Sequence, residues 1–155
     1  MVEVSVSGIA LDNITNMPII ILRDKDEREL PIWVGLLEAQ SILLALEGIM
    51  TPRPMTHDLL KDILINLGGE LNRVIITHIL DNTYHAKLIV SKNGGFIEID
   101  SRPSDGIALA LRTNSPIFVD KSIKFINSFE QTPISDEEVL RFKEELRNLN
   151  PSDFL

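Results

Sequence analysis

Alternation of apolar and polar positions gives way to helical spacing twice along the chain, and the sharper case is Ile97 to Arg112, IEIDSRPSDGIALALR. Ile97 and Ile99 alternate with Glu98 and Asp100, which predicts a strand with one apolar and one acidic face. Ile107, Ala110 and Leu111 then share one side of a helix. Between the two lies a hinge of Ser101, Arg102 and Pro103. Ser101 or Ser104 suits the N-cap, and Pro103 suits the first turn, where its missing N–H would be unpaired in any case. Asp105 brings a carboxylate to the positive end of the helix dipole. The pattern has a weaker copy upstream: Ile32, Val34, Ile42, Leu44 and Ala45 recur as Ile97, Ile99, Ile107, Leu109 and Ala110, 65 residues on. Val4, Val6 and Ile9 likewise recur as Val74, Ile76 and Ile79, 70 residues on. The order reads as a duplicated βββα unit.

In chain order, Val2, Val4 and Val6 open a strand, and Ile19 to Leu22 and Leu30 to Val34 flank the charged stretch Arg23 to Glu29 as a hairpin. Gly35 releases the chain into Leu36 to Leu46, which is apolar nearly all round and so calls for burial on two sides. Thr51 to Pro54 is a stiff connector. Thr56 suits the cap of a second helix running to Leu67, with His57 and Asp58 in its first turn. Leu71 to Leu80, Tyr84 to Val90 and Gly95 to Asp100 read as a meander, and a two-residue turn at Asp81 and Asn82 would set His78 beside His85. Pro116 to Val119 is a short strand. Ser135 to Glu138 has capping-box spacing before Val139, Phe142, Leu146 and Leu149, so a C-terminal amphipathic helix is expected. The expected fold is α+β: the duplicated unit with antiparallel sheets and two central helices, an extra amphipathic helix and the C-terminal one. Residues 1–131 form the domain and 132–155 a helical extension packed on it or on a partner subunit.

Composition narrows the function. The chain has no cysteine, which excludes disulfides, thiolate metal sites and a Cys nucleophile. No apolar run approaches the ~20 residues of a membrane span and no signal-peptide pattern opens the chain, so a cytoplasmic protein without a membrane partner is expected. With 23 acidic against 15 basic residues the formal charge is −8, a field that repels nucleic acid. A polyanionic substrate would need a local basic patch or a bridging cation. The apolar Leu36 to Leu46 and the amphipathic C-terminal segment predict a homo-oligomer, most simply a dimer.

Three stretches, ELPIWVGLLEAQSILLALEG, TPRPMTHDLL and IDSRPSDGIALALR, resemble the bifunctional nuclease domain family over roughly Val2 to Phe129. The resemblance implies a nuclease acting on DNA and/or RNA, and the acidic charge makes the expected activity weak and metal-assisted. Phosphodiester hydrolysis needs an activated nucleophile, neutralised phosphate charge and help for the leaving oxygen, which carboxylate-bound divalent metals supply. Asp100, Asp105, Glu38 and His57 are the catalytic candidates; Arg53, Arg102 and Ser104 are candidates for holding phosphate; Asp58, Asp100 and Asp105 are candidate ligands of Mg²⁺ or Mn²⁺. His57, at a helix start that disfavours its cation, suits a neutral base. His78 and His85 form a second potential metal pair. Each of these residues also has an ordinary structural reading, as first-turn acids, a capping histidine and ion-paired arginines. The rivals to a nuclease are therefore a non-enzymatic oligomeric binding protein and a pocket for a small phosphorylated ligand at the helix starts.

Overall fold

Two meanders, each followed by a helix, make up most of the molecule. The computed structural model describes residues 1–128 together with Glu137, Leu140, Arg141 and Glu144. Strands β1 (Val2–Leu11), β2 (Pro18–Asp24) and β3 (Glu29–Trp33) lead into α1 (Leu36–Leu46). After α2 (Thr56–Asn66), β4 (Glu70–Leu80), β5 (Thr83–Lys92) and β6 (Gly95–Ser101) lead into α3 (Pro103–Thr113) and β7 (Ile117–Val119). The class is α+β, as expected. The hairpin turns follow from residues that tolerate left-handed backbone: Asp81 and Asn82 at φ 50° and 59°, and Asn93 and Gly94 at φ 52° and 76°. Two successive positive φ values are what a two-residue turn needs to match strand twist.

The expected separate antiparallel sheets are in fact one mixed sheet of seven strands, ordered β3-β2-β1-β7-β4-β5-β6. The reason is β7. Each meander leaves its first strand with an unpaired edge, and a bare edge is a liability. β7 fills both: Ile117 stands opposite Val4 in the antiparallel pair with β1 and opposite Val74 in the parallel pair with β4, and Val119 likewise meets Val2 and Ile76. Three residues thus join the halves into a single core.

That core lies between the sheet and the helices. Ile20, Leu22 and Ile32 from one meander and Val74, Ile76 and Leu88 from the other meet Ile42 and Leu43 of α1 and Ile107 to Ala110 of α3. A smaller cluster, Ala10, Ile19 and Ile21, forms separately. α3 sits unusually close to β4, because a Cβ on Gly106 would lie 2.7 Å from Val74 Cγ1. Among the described residues no helix is long and apolar enough to cross a membrane. Of the expected C-terminal helix, Glu137, Leu140, Arg141 and Glu144 are helical and exposed; Val139, Phe142, Leu146 and Leu149 lie outside the described residues.

Gly106→Ala should destabilise the protein. Overpacking against Val74 costs about 1–3 kcal/mol, while the better helix propensity of alanine returns about 1 kcal/mol. Urea unfolding should show a net loss on the order of 1 kcal/mol, and a smaller loss when the substitution is made in a Val74→Ala background, because the two sites share one contact.

Candidate functional site

The first turns of all three helices meet at one place. Gly35, Met55 and Arg102 are the N-caps of α1, α2 and α3, and the third helical residue is acidic in each: Glu38, Asp58 and Asp105. An acid there complements the positive helix end. Thr56, Ser101 and Ser104 are not the caps; at α2 the Met55 N–H donates instead to Asp58 Oδ2 at 2.9 Å. Glu38 folds back over its own N-cap, and a Cβ at Gly35 would lie 2.1 Å from Glu38 Oε2. A side chain at position 35 would thus displace only the flexible end of Glu38, and the backbone there, at φ −70°, makes no demand for glycine.

Arg102 joins two of these turns. Its Nε donates to Asp105 Oδ2 at 2.8 Å, one terminal nitrogen to Asp105 Oδ1 at 3.2 Å and the other to Glu38 Oε1 at 3.0 Å. The third turn enters through His57, which is buried. Its Nε2 lies 2.9 Å from Asp105 Oδ1 and its Nδ1 2.6 Å from Ser41 Oγ. Burial of Asp105 would raise its pKa, but the hydrogen bonds from Arg102 and His57 outweigh that and hold the carboxyl below its ordinary range. The carboxylate accepts only, so the proton sits on Nε2, and in the neutral imidazole Nδ1 is left to accept from the Ser41 hydroxyl. A hydroxyl, an imidazole and a carboxylate form one chain.

Arg112 fixes this geometry from below. Its side chain is only 8% exposed, and Nε donates to Asp58 Oδ1 at 2.8 Å. The other guanidinium nitrogens donate to Ala108 O at 2.9 Å and Ser41 O at 3.1 Å, so one side chain ties α3 to α2 and to the turn of α1 that carries Ser41. Burial opposes ionisation of Asp58, yet the Met55 amide and Arg112 together lower its pKa.

Two clefts flank the Arg102–Glu38 bridge. One, of 270 Å³, is lined by Glu38, Ser41, Met55, His57, Arg102 and Asp105; the other, of 330 Å³, by Trp33, Gly35, Tyr84, Arg102 and Ser104 among others. Of the sequence candidates, Glu38, His57, Arg102 and Asp105 come together. Asp58 is adjacent but engaged by Arg112, and Ser104 is buried in the wall of the second cleft. Asp100 does not join Arg102 and Asp105. Ala86, Leu88 and Val90, which pack toward the helices, pair with Ser101, Ile99 and Ile97, so the strand's period of two turns Glu98 and Asp100 to the opposite face, with Asp100 opposite Lys87. Arg53 also stays apart, exposed in the connector between α1 and α2.

The expected metal set of Asp58, Asp100 and Asp105 does not fit a divalent ion: Asp58 is held by Arg112, Asp105 by Arg102 and His57, and Asp100 faces away. Among the described residues no three His, Asp or Glu side chains are grouped to hold a metal. His78 and His85 do pair in the expected register, but their rings stack with centroids 4.6 Å apart and planes 10° from parallel. Ring-nitrogen lone pairs lie in the ring planes, so two near-parallel rings cannot aim them at one ion. Ser41 and Arg112 were missed by sequence reasoning. The available signal for Ser41 was its spacing three residues after Glu38, on the same face of α1.

The bifunctional nuclease domain profile matches residues 20–131. The chain is 38% identical over 164 residues to an uncharacterized protein of Mycobacterium tuberculosis, covering 99% of this chain and 98% of that one. It is 31% identical over 116 residues to bifunctional nuclease 1 of Oryza sativa subsp. japonica (72% of this chain, 35% of that protein), and 31% over 143 residues to bifunctional nuclease 2 of Arabidopsis thaliana (83% and 44%). The chain thus spans between about a third and just under half of the length of these plant relatives.

The buried arginine and the depressed carboxyls make two stability predictions. Breaking a buried ion pair costs about 3–5 kcal/mol; Asp58 is 38% exposed and can rehydrate, so Arg112→Met should cost about 2 kcal/mol in urea unfolding. Asp58 and Asp105 have folded pKa values held below the ordinary value of an aspartate carboxyl. Their contribution is present above that value and is lost as pH falls through the folded pKa. The acid limb of stability against pH should therefore be shallower in Asp58→Asn and in Asp105→Asn than in wild type, starting from a lower plateau at neutral pH.

Proposed function

The chain belongs to the bifunctional nuclease domain family, and on that footing we propose that it hydrolyses phosphodiester bonds in DNA and/or RNA at the junction of the three helix starts. The observation that carries this reading is Arg102. Its side chain is 65% exposed, it lies between two clefts, and it is held in a fixed orientation by Glu38 and Asp105. A planar guanidinium at a helix start is suited to phosphate. Exposed ion pairs contribute only about 0–1 kcal/mol, so an incoming phosphate can take the place of Glu38 at little cost. His57, oriented by Asp105, supplies the proton-handling group beside that phosphate.

The finer parts of the proposal are a divalent-cation requirement and a dimer. Mg²⁺ or Mn²⁺ would act on charge, travelling with the substrate phosphates and offsetting the −8 of the chain. A twofold dimer would cover Leu36 and Leu37, which remain exposed at the start of α1.

With protein purified from a nuclease-deficient host, wild type should cleave single-stranded DNA or RNA in Mg²⁺ or Mn²⁺ and lose activity in EDTA. Arg102→Lys should lower kcat/KM about tenfold through the lost bidentate contact, and His57→Gln about a hundredfold or more. Absence of cleavage with retained binding of a nucleotide would favour the phosphorylated-ligand pocket. Absence of both would favour the non-enzymatic binding protein. Sedimentation at micromolar concentration should give twice the chain mass, and Leu37→Glu should return it to one.

A further inference from the structure

We infer that Ser41 is the nucleophile of this site, and that phosphodiester cleavage proceeds through a covalent phosphoseryl intermediate. The inference rests on the phosphodiesterase reading above and names the group that attacks. Both imidazole nitrogens of His57 are committed, Nε2 to Asp105 at 2.9 Å and Nδ1 to Ser41 Oγ at 2.6 Å. The hydroxyl that His57 can deprotonate without first breaking a hydrogen bond is therefore that of Ser41. Nucleophile next to base, and base oriented by a carboxylate, is the arrangement that turns a weak hydroxyl into an attacking group.

Three further observations fit. Ser41 is partly exposed and lines the 270 Å³ cleft together with Arg102, so a phosphate held by the guanidinium lies in the same cavity as Oγ. Its backbone is anchored, since Arg112 donates to the Ser41 carbonyl at 3.1 Å, which limits drift of Oγ relative to His57. Of the acids first expected to hold a metal, Asp58 and Asp105 are tied up by arginines and His57 and Asp100 faces away, leaving a protein hydroxyl as the better-placed attacking group among the described residues.

The steps balance without an added reagent. Ser41 Oγ bonds to phosphorus as its proton passes to His57 Nδ1, and the bond from phosphorus to the leaving ester oxygen breaks; that oxygen receives the proton from Nδ1. Water then attacks phosphorus, giving its proton to Nδ1, and the P–Oγ bond breaks as Ser41 recovers a proton. Asp105 stabilises the imidazolium in both halves. A phosphate that takes the place of Glu38 leaves the Arg102–Asp105 contact intact and adds its own negative charge to that of Asp105 in support of the imidazolium. Attack is thereby favoured when phosphate is present.

The test uses full-length protein and diisopropyl fluorophosphate, which transfers a diisopropylphosphoryl group to an activated serine and releases fluoride. Intact mass should rise by one such group, and peptide mapping should place it on Ser41. The label should be absent from Ser41→Ala, and its rate of formation should fall about a hundredfold in His57→Gln, with urea unfolding confirming that both variants are folded. Ser41→Ala should also lose nuclease turnover. An unlabelled wild type, a label elsewhere than Ser41, or full nuclease turnover by Ser41→Ala would overturn the inference. A label on Ser41 with no nuclease turnover in wild type would uphold the activated serine and overturn the nucleic-acid reading instead.

Discussion

The site depends on a charge that the fold has taken out of water. Arg112 is nearly buried, and an isolated guanidinium there would cost several kcal/mol in lost hydration. That cost is offset because each donor nitrogen has a partner: a carboxylate on α2, a carbonyl on α1 and a carbonyl of its own helix. The consequence is geometric. The three partners set how α1, α2 and α3 lie relative to one another, and hence the distances among Ser41, His57 and Asp105. Arg102 presents the opposite case. All three of its hydrogen bonds go to carboxylates, but with its side chain 65% exposed they are screened and weak. Burial thus separates a structural arginine from one available to an anion, although the two stand ten residues apart at the two ends of one helix.

Close packing beneath the helix adds a second constraint. α3 can carry both arginines into register with the other helices only because Gly106 lets it settle against Val74 and Leu88. α1 reaches the same junction with its buried face, Ala39, Ile42 and Leu43, on the core and its third residue, Glu38, turned back across Gly35. Helix starts that would otherwise present bare N–H groups are instead furnished with one acid each. A concentration of positive dipole ends is made compatible with folding in the absence of ligand.

Much of the fold was legible because periodicity and turn chemistry are local. The α1 limits, Leu36 and Leu46, follow from a glycine and an apolar run; the opposition of His78 and His85 follows from a two-residue turn. The partnership of β7 was not legible, since three apolar residues carry no mark of the strands they will join. The site was half legible. Glu38, His57, Arg102 and Asp105 stood at helix starts, where polar residues have reason to be, and the helices brought them together. Asp100 misled because nearness in sequence stood in for nearness in space, and a strand turns alternate residues to opposite faces. Ser41 and Arg112 gave little signal: a serine inside an apolar helix reads as a neutral filler, and an arginine in a last turn reads as a dipole partner.

Charge bears on how any metal dependence is to be understood. A chain of net charge −8 repels a polyanion, but at physiological ionic strength that repulsion reaches only about 8 Å, so it acts mainly at close approach. Within the site two arginines face Glu38, Asp58 and Asp105, and local charge does not reverse the sign of the whole. Divalent ions condensed on nucleic acid would ease approach without any protein ligand. An ion acting in that way alters chiefly the concentration of substrate needed, whereas an ion held by carboxylates at the reacting phosphate alters the chemical step itself. The carboxylates here are occupied by Arg102, Arg112 and His57. On the proposed reading the arrangement favours the first effect, an ion that would act on KM, with the attacking group supplied by the protein.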